Sequence, residues 1–145
     1  MLVITADHGV RTKNEDPAFD GGTLSAYSFH VPLVIYAPAA APAGRRIGNL
    51  TSHIDIAATI EALLDIPAPA SDTQGVPIWC DDIDNRATFF FGASYLGADG
   101  YRLGEQYVMH EVLTDAVYQA EELDFSGRIP VDPADAPRHR QFIRE

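Results

Sequence analysis

The sequence predicts an α/β fold to which a small antiparallel C-terminal sheet is attached. Two short apolar runs, at residues 2–5 and 31–36, have the composition of strands, and helical periodicity begins at residue 52. A strand, a loop, a strand and a helix in this order are typical of an α/β layer. We therefore expect part of a layered sandwich of strands plus helix, followed by a separate smaller sheet.

The two predicted strands differ in composition, and a long loop separates them. Residues 2–5 are apolar and mostly β-branched, which is typical of a strand buried on both faces. The second strand, residues 31–36, has Pro32 near its start, where a missing N–H is tolerated. Residues 10–29 between the strands are polar and contain glycine, so they predict a long loop.

The helix that follows has a recognisable start and one apolar stripe. Ser52 and Asp55 form a pattern like a capping box. The macrodipole also favours a carboxylate in the first turn, which is a sufficient role for Asp55. The apolar stripe at helical spacing consists of Ile56, Ile60, Leu63 and Leu64.

After residue 70 the pattern of the sequence changes from an α/β order to a series of strand-like runs. We therefore expect two parts, residues 1–70 and residues 71–145. A turn at Thr114 and Asp115 separates strand-like runs, which indicates an antiparallel meander. The predicted strands of this part are residues 87–91, 101–113 and 116–125. The last fifteen residues carry three prolines among charges, and we expect them to be irregular.

Composition excludes some classes of function. A formal net charge of −11 argues against a nucleic-acid-binding surface. The single cysteine, Cys80, excludes a disulfide framework within the chain. No apolar run approaches the roughly 18 residues of a membrane span, and the start has no signal-peptide layout. Because a signal or anchor could lie upstream, localisation stays open.

Asp7 and His8 are the first candidates for chemistry. They come directly after the first strand, at the edge of an open α/β sheet where ligands bind. A carboxylate beside an imidazole suits a divalent metal such as Zn²⁺, Mn²⁺, Mg²⁺ or Ca²⁺. Gly9 allows the backbone to turn away and leaves room for a ligand. The alternative is a strand-ending turn with a nearby histidine.

Three blocks in order carry a resemblance to a known family. They read "VITADHG", "HVPLVIYAP" and "SHIDIAATIEALLDI", and together they cover residues 2–66. In this order they resemble the C-terminal half of the sulfatase family, within the alkaline-phosphatase superfamily. The family's lysine near the second block has no counterpart in residues 23–32, which favours phosphoglycerol-transferase-like relatives.

The resemblance implies a metal-dependent hydrolase or transferase acting on sulfate or phosphate esters. It maps Asp7 and His8 onto ligands of the active-site metal, and His53 onto a ligand of a second metal if there are two. It also suggests His30 and Lys13 as substrate-binding residues. The alternatives are a strand-entry role for His30 and a local capping role for His53.

The resemblance also implies that the nucleophile lies outside this chain. In the family, the nucleophile and the first acidic ligands come from the N-terminal half, and no residue here matches them. We therefore expect a C-terminal fragment that is inactive alone. The alternatives are a non-catalytic module that serves binding or assembly, and a half-enzyme that is complemented by a separate N-terminal chain. The possible partners are such an N-terminal half or further copies of this chain.

Overall fold

The computed structural model describes residues 1–9, 26–41, 44–67, 74–92, 97–123, 125 and 127–145. These residues group into two compact units. The first unit contains Met1–Thr5 and Leu33–Arg86, and the second contains Ala6–Pro32 and Ala87–Glu145. The boundary at residue 70 that the sequence predicts stays a prediction.

The first unit contains a two-stranded antiparallel ribbon, formed by β1 (Leu2–Ile4) and β2 (Val34–Tyr36). β2 begins later than predicted, since Pro32 has no N–H to offer a ladder. One face of the ribbon, with Val3 and Ile35, is half-buried. The opposite face is 52% to 62% exposed and carries Leu2, Ile4, Val34 and Tyr36.

The expectation that residues 2–5 are buried on both faces is therefore wrong for this structure. A strand is covered on both sides only when other elements pack against both faces of its sheet. In the ribbon the described residues of the first unit cover only the face of Val3 and Ile35, and only partly. The apolar composition is that of a central strand, while the observed position is that of an edge.

The predicted helix is confirmed as α2, which spans Ile54–Leu63. The Asp55 carboxylate accepts a hydrogen bond from the Ser52 backbone N–H at 2.7 Å, which is one half of the predicted capping box. The apolar stripe is only partly covered. Ile56, Ile60 and Leu63 are half-buried, and Leu64 is half exposed.

Instead, α2 buries polar side chains. Asp55 and Thr59 are completely inaccessible to solvent. Asp55 accepts hydrogen bonds from the Val76 N–H at 3.1 Å and from the Arg86 guanidinium at 2.5 Å. The Thr59 hydroxyl accepts a hydrogen bond from the Ile78 N–H at 3.1 Å. These five residues, which we call the clamp, hold the segment after α2 against the helix through hydrogen bonds to two buried acceptors, the Asp55 carboxylate and the Thr59 hydroxyl.

Gly75 allows the clamp to close. A Cβ atom at this position would lie 1.9 Å from the backbone oxygen of Ile54 and 2.6 Å from its carbonyl carbon. No side chain other than hydrogen fits at that distance from backbone atoms. The close approach brings the next residue, Val76, within hydrogen-bonding distance of Asp55.

The rest of the first unit is anchored by a short 3-10 helix at Asp81–Asn85. The Asp84 carboxylate accepts hydrogen bonds from the Asn49 side-chain amide at 2.9 Å and from the Leu50 N–H at 3.1 Å. This helix therefore fixes the segment that leads into α2.

The second unit is built on a five-stranded antiparallel sheet, which confirms the predicted C-terminal meander. Gly104, with φ of 60°, makes a turn that divides the predicted strand 101–113 into two. The predicted turn at Thr114 and Asp115 is confirmed. In sequence order, which is also spatial order, the strands are β3 (Thr88–Phe91), β4 (Ala98–Leu103), β5 (Gln106–Glu111), β6 (Ala116–Ala120) and β7 (Ile129–Pro130).

Helix α3, at Ala136–Arg144, covers one face of this sheet. The prediction that the last fifteen residues are irregular is therefore wrong. Pro137 lies in the first turn of α3, where its missing N–H costs nothing and its fixed φ suits a helix. The core under the helix consists of Tyr101, Val108, Val117, Ala136 and Ile143.

The opposite face of the sheet packs against α1, a single helical turn at Ala26–Phe29. The predicted loop 10–29 thus ends in a helix, and residues 10–25 lie outside the described residues. The Phe29 ring lies edge-on to Phe90, with 5.3 Å between the ring centroids. The buried residues of this core are Phe90, Ala98, Met109, Ala120 and Phe125.

A polar contact closes the hairpin of β5 and β6. The Nε2 atom of buried His110 lies 2.8 Å from Oδ1 of Asp115, and Arg140 of α3 donates to the Asp115 backbone oxygen at 3.0 Å. The hydrogen bond from His110 lowers the pKa of the Asp115 carboxyl below its ordinary value, and the charge of Arg140 lowers it further against the opposing effect of desolvation.

This contact predicts a pH dependence of stability. A carboxyl whose pKa is lower in the folded state stabilises the fold above its unfolded pKa, and this stabilisation is lost as the pH falls through the folded value. We expect the urea midpoint, followed by amide NMR signals of β5 and β6, to fall less between pH 5 and pH 2 in Asp115→Asn than in the unchanged protein. Glu105→Gln, on the neighbouring turn, keeps the full dependence. Parallel curves for Asp115→Asn would contradict the assignment.

Candidate functional site

The Asp7 and His8 side chains stand at the surface of the second unit. Asp7 is 89% exposed and His8 is 68% exposed. The His8 backbone N–H donates to Oδ1 of Asp7 at 3.0 Å. The His8 Nδ1 atom lies 2.7 Å from the backbone oxygen of Gly9. Local hydrogen bonds thus orient both side chains. The same hydrogen bonds are also expected for the alternative, a strand-ending turn with a nearby histidine.

The contact with Gly9 has a chemical consequence for His8. A carbonyl oxygen only accepts hydrogen bonds, so Nδ1 carries the proton in this geometry and the neutral ring has its lone pair on Nε2. The Nε2 atom lies 3.7 Å from Oδ2 of Asp7. Because metal–ligand bonds to nitrogen and oxygen are about 2.0 to 2.4 Å long, one ion can reach both atoms.

These two candidate donors do not complete a coordination shell. Within the part of the chain that the structure describes, no group of three or more His, Cys, Asp or Glu side chains could hold a metal ion. The predicted site is therefore represented here by a pair of adjacent donors.

His30 belongs to the same unit as Asp7 and His8. The Gly9 N–H donates to the backbone oxygen of Ser28 at 2.8 Å, so the chain after His8 runs beside α1, two residues before His30. His30 itself is exposed. The structure thus brings the backbones of these segments together. Lys13, the other predicted substrate-binding residue, lies outside the described residues.

His53 lies in the first unit, at the position that caps α2. Its backbone oxygen accepts a hydrogen bond from the Ile56 N–H at 3.2 Å. Its side chain is exposed and makes no capping hydrogen bond. Its predicted role as a ligand of a second metal stays a prediction.

Comparison with known protein families shows what the first part of the chain resembles. Residues 1–66 match the family model described as Sulfatase. Residues 1–66, which we call the sulfatase segment after this match, are similar to that family. This match confirms the resemblance carried by the three sequence blocks, and it covers a little under half of the 145 residues. Searches of curated proteins and of solved structures gave no significant match.

The sulfatase segment contains β1, β2 and α2, together with Asp7 and His8. Sulfatases generally use a divalent metal. The segment ends at Ile66, before the five-stranded sheet and before the second half of the clamp. Among the described residues, no helix is both long enough and apolar enough to cross a membrane.

Proposed function

We propose that this chain is the C-terminal part of a metal-dependent enzyme that cleaves or transfers a sulfate or phosphate ester. Asp7 and His8 are two ligands of its metal. The observation that carries the proposal is the 3.7 Å separation of Nε2 and Oδ2 within the sulfatase segment. It provides one nitrogen and one oxygen donor to a single ion.

Each side chain has a defined task in this proposal. The bond between Nδ1 and the Gly9 carbonyl holds the His8 ring and strengthens Nε2 as a ligand. The His8 N–H occupies Oδ1 of Asp7, which leaves Oδ2 to face the ion. When bound, a divalent ion supplies Lewis-acid polarisation of the ester oxygens. His30 and Lys13 are proposed to contact the anionic ester.

The rest of the active site is proposed to come from another chain or from a preceding segment. Covalent catalysis needs an activated nucleophile beside the metal, and the family's nucleophile has no counterpart in this sequence. We therefore propose that these 145 residues are inactive alone. Whether the ester is a sulfate or a phosphate follows from the nucleophile, so the phosphoglycerol-transferase-like alternative remains a proposal as well.

One observation favours a second candidate, a non-catalytic module for binding or assembly. The outer face of the ribbon presents four apolar side chains, each more than half exposed. Contiguous exposed apolar surface is typical of interaction sites. This candidate needs no metal, which separates it from the enzyme proposal.

Paramagnetic Mn²⁺, added stepwise to the isotope-labelled protein, tests the metal site. We expect the His8 ring signals and the Gly9 amide signal to broaden at the lowest Mn²⁺ concentrations. The double variant Asp7→Asn with His8→Gln is expected to need at least about tenfold more Mn²⁺ for the same broadening of the Gly9 amide signal, because both proposed ligands are lost.

Two further variants control this experiment. Asp81→Asn removes an exposed carboxylate from the first unit and should leave the response unchanged. His53→Gln reports whether that histidine contributes to binding. If the double variant broadens like the unchanged protein, the metal proposal fails and the binding module is the better description.

A further inference from the structure

The first unit contains a cleft that the sulfatase assignment does not use. Its volume is about 640 Å³, which lies in the range of ligand pockets in proteins. Most of its lining is apolar and includes Ile35 from β2, Leu63 from α2 and Trp79. Ile78 is buried and forms its floor, since it lines the cleft with only 9% of its surface exposed.

Two adjacent arginines, Arg45 and Arg46, also line the cleft. Both residues are exposed, so their charged groups are accessible to a ligand from solvent. Neither has an acidic partner within 4 Å among the described residues. Elsewhere in the described chain some arginines are paired, as Arg86 is with Asp55 and Arg128 with Glu111, whereas Arg138 and Arg144 on α3 have no acidic partner within 4 Å among the described residues.

The charge of the whole chain makes this pair unusual. The chain carries 21 acidic residues and 10 basic ones. Two neighbouring positive charges beside an apolar cavity therefore form a local site of opposite sign. Guanidinium groups bind carboxylate, sulfate and phosphate oxygens through paired N–H donors.

We propose that this cleft binds a small organic anion that has an apolar body and a carboxylate, sulfate or phosphate head. The body fills the space between Ile35, Leu63 and Trp79 above Ile78. The head stays at the opening and pairs with Arg45 and Arg46. Apolar burial supplies most of the affinity, and the arginines select for a negative charge.

This proposal does not depend on the metal site. Asp7 and His8 belong to the second unit, whereas every lining residue of the cleft belongs to the first. The sequence alone does not single out Arg45 and Arg46, because two basic residues in a loop of Ala, Pro and Gly form no recognisable motif. Their significance comes from the apolar side chains that the fold places beside them.

Fluorescence of Trp79, the single tryptophan of the chain, provides the assay. The probes are octanoate and octyl sulfate. The controls are 1-octanol, which has the same alkyl chain without a charge, and inorganic sulfate, which has the charged group without an alkyl chain. We expect both anions to bind about tenfold more tightly than 1-octanol, as one or two exposed charged hydrogen bonds would provide. Inorganic sulfate alone should bind at least about tenfold more weakly than octyl sulfate.

Paired variants decide whether the arginines are responsible. Arg45→Gln with Arg46→Gln should reduce the affinity for both anions about tenfold and leave that for 1-octanol unchanged. Arg138→Gln with Arg144→Gln removes the same charge from the second unit and should change neither. Circular dichroism of each variant confirms that it is folded.

The proposal is overturned if the first pair of variants binds octanoate as tightly as the unchanged protein does. It is also overturned if 1-octanol binds as tightly as the anions, since that result shows an apolar cavity without selection for charge. Binding that persists in Asp7→Asn with His8→Gln shows that the cleft and the metal site are separate.

Discussion

Replacing Asp55 by alanine is expected to lower the free energy of unfolding of the first unit by about 3 to 5 kcal/mol. The carboxylate is completely buried and accepts hydrogen bonds from the Ser52 N–H, the Val76 N–H and the Arg86 guanidinium. Its removal leaves the mostly buried charge of Arg86 without its partner. It also leaves two backbone donors unsatisfied, which adds to the cost.

Urea unfolding followed by Trp79 fluorescence measures this effect, since Trp79 lies in the first unit. Asp81→Ala, which removes an exposed carboxylate from the same unit, should change stability by less than about 0.5 kcal/mol. The double variant Asp55→Ala with Arg86→Met should recover part of the loss, because it removes the unpaired charge. Equal stability of Asp55→Ala and Asp81→Ala would show that the clamp contributes nothing.

Gly75→Ala is the second substitution with a large expected effect, about 3 kcal/mol of destabilisation. Its Cβ would lie 1.9 Å from the backbone oxygen of Ile54, and neither backbone can give way without moving α2 from the segment it holds. The Val76 N–H would then move out of reach of Asp55. The measurement is again urea unfolding with Trp79 fluorescence.

Gly48→Ala is the matched control for this prediction. It changes the same residue type in the same unit, and nothing lies within 4 Å of the position its Cβ would occupy. We expect it to be neutral or slightly stabilising, because alanine restricts the unfolded chain more than glycine does. If both alanine variants unfold at the same urea concentration, the close approach at Gly75 has no energetic importance.

Local patterns predicted some elements of this fold well. The start of α2 follows from Ser52 and Asp55, which interact within one helical turn. The turn before β6 follows from Thr114 and Asp115, which are adjacent in sequence. In both cases the determining contacts lie within a few residues of each other, and such contacts leave a recognisable pattern in the sequence.

The features that the sequence did not predict depend on distant partners. The macrodipole explanation of Asp55 was incomplete because its donors, Val76 and Arg86, lie 21 and 31 residues away. The exposure of Leu2 and Ile4 depends on what packs beside the ribbon, which composition does not specify. Helix α3 had a readable start at Pro137, but the surrounding charges and prolines favoured an irregular segment.

The candidate site was predicted in part. The sequence placed Asp7 next to His8, and the structure adds the separation of their donor atoms and the tautomer set by the Gly9 carbonyl. The contact between the chain after His8 and α1 could not be predicted, because it joins Gly9 to Ser28 across a segment without a pattern. The metal-ligand roles of Asp7 and His8 remain predictions, as do the roles of His30, His53 and Lys13.

The clamp also bears on where this protein can be cut. Asp55 and Thr59 lie inside the sulfatase segment, whereas their partners Val76, Ile78 and Arg86 lie beyond its end at Ile66. A truncated chain that ends with the family match would keep two buried acceptors and the Ser52 N–H, but it would lose the three donors that reach these acceptors from beyond Ile66. A boundary chosen for expression or for grafting onto another chain therefore belongs after Arg86, twenty residues past the point where sequence similarity stops.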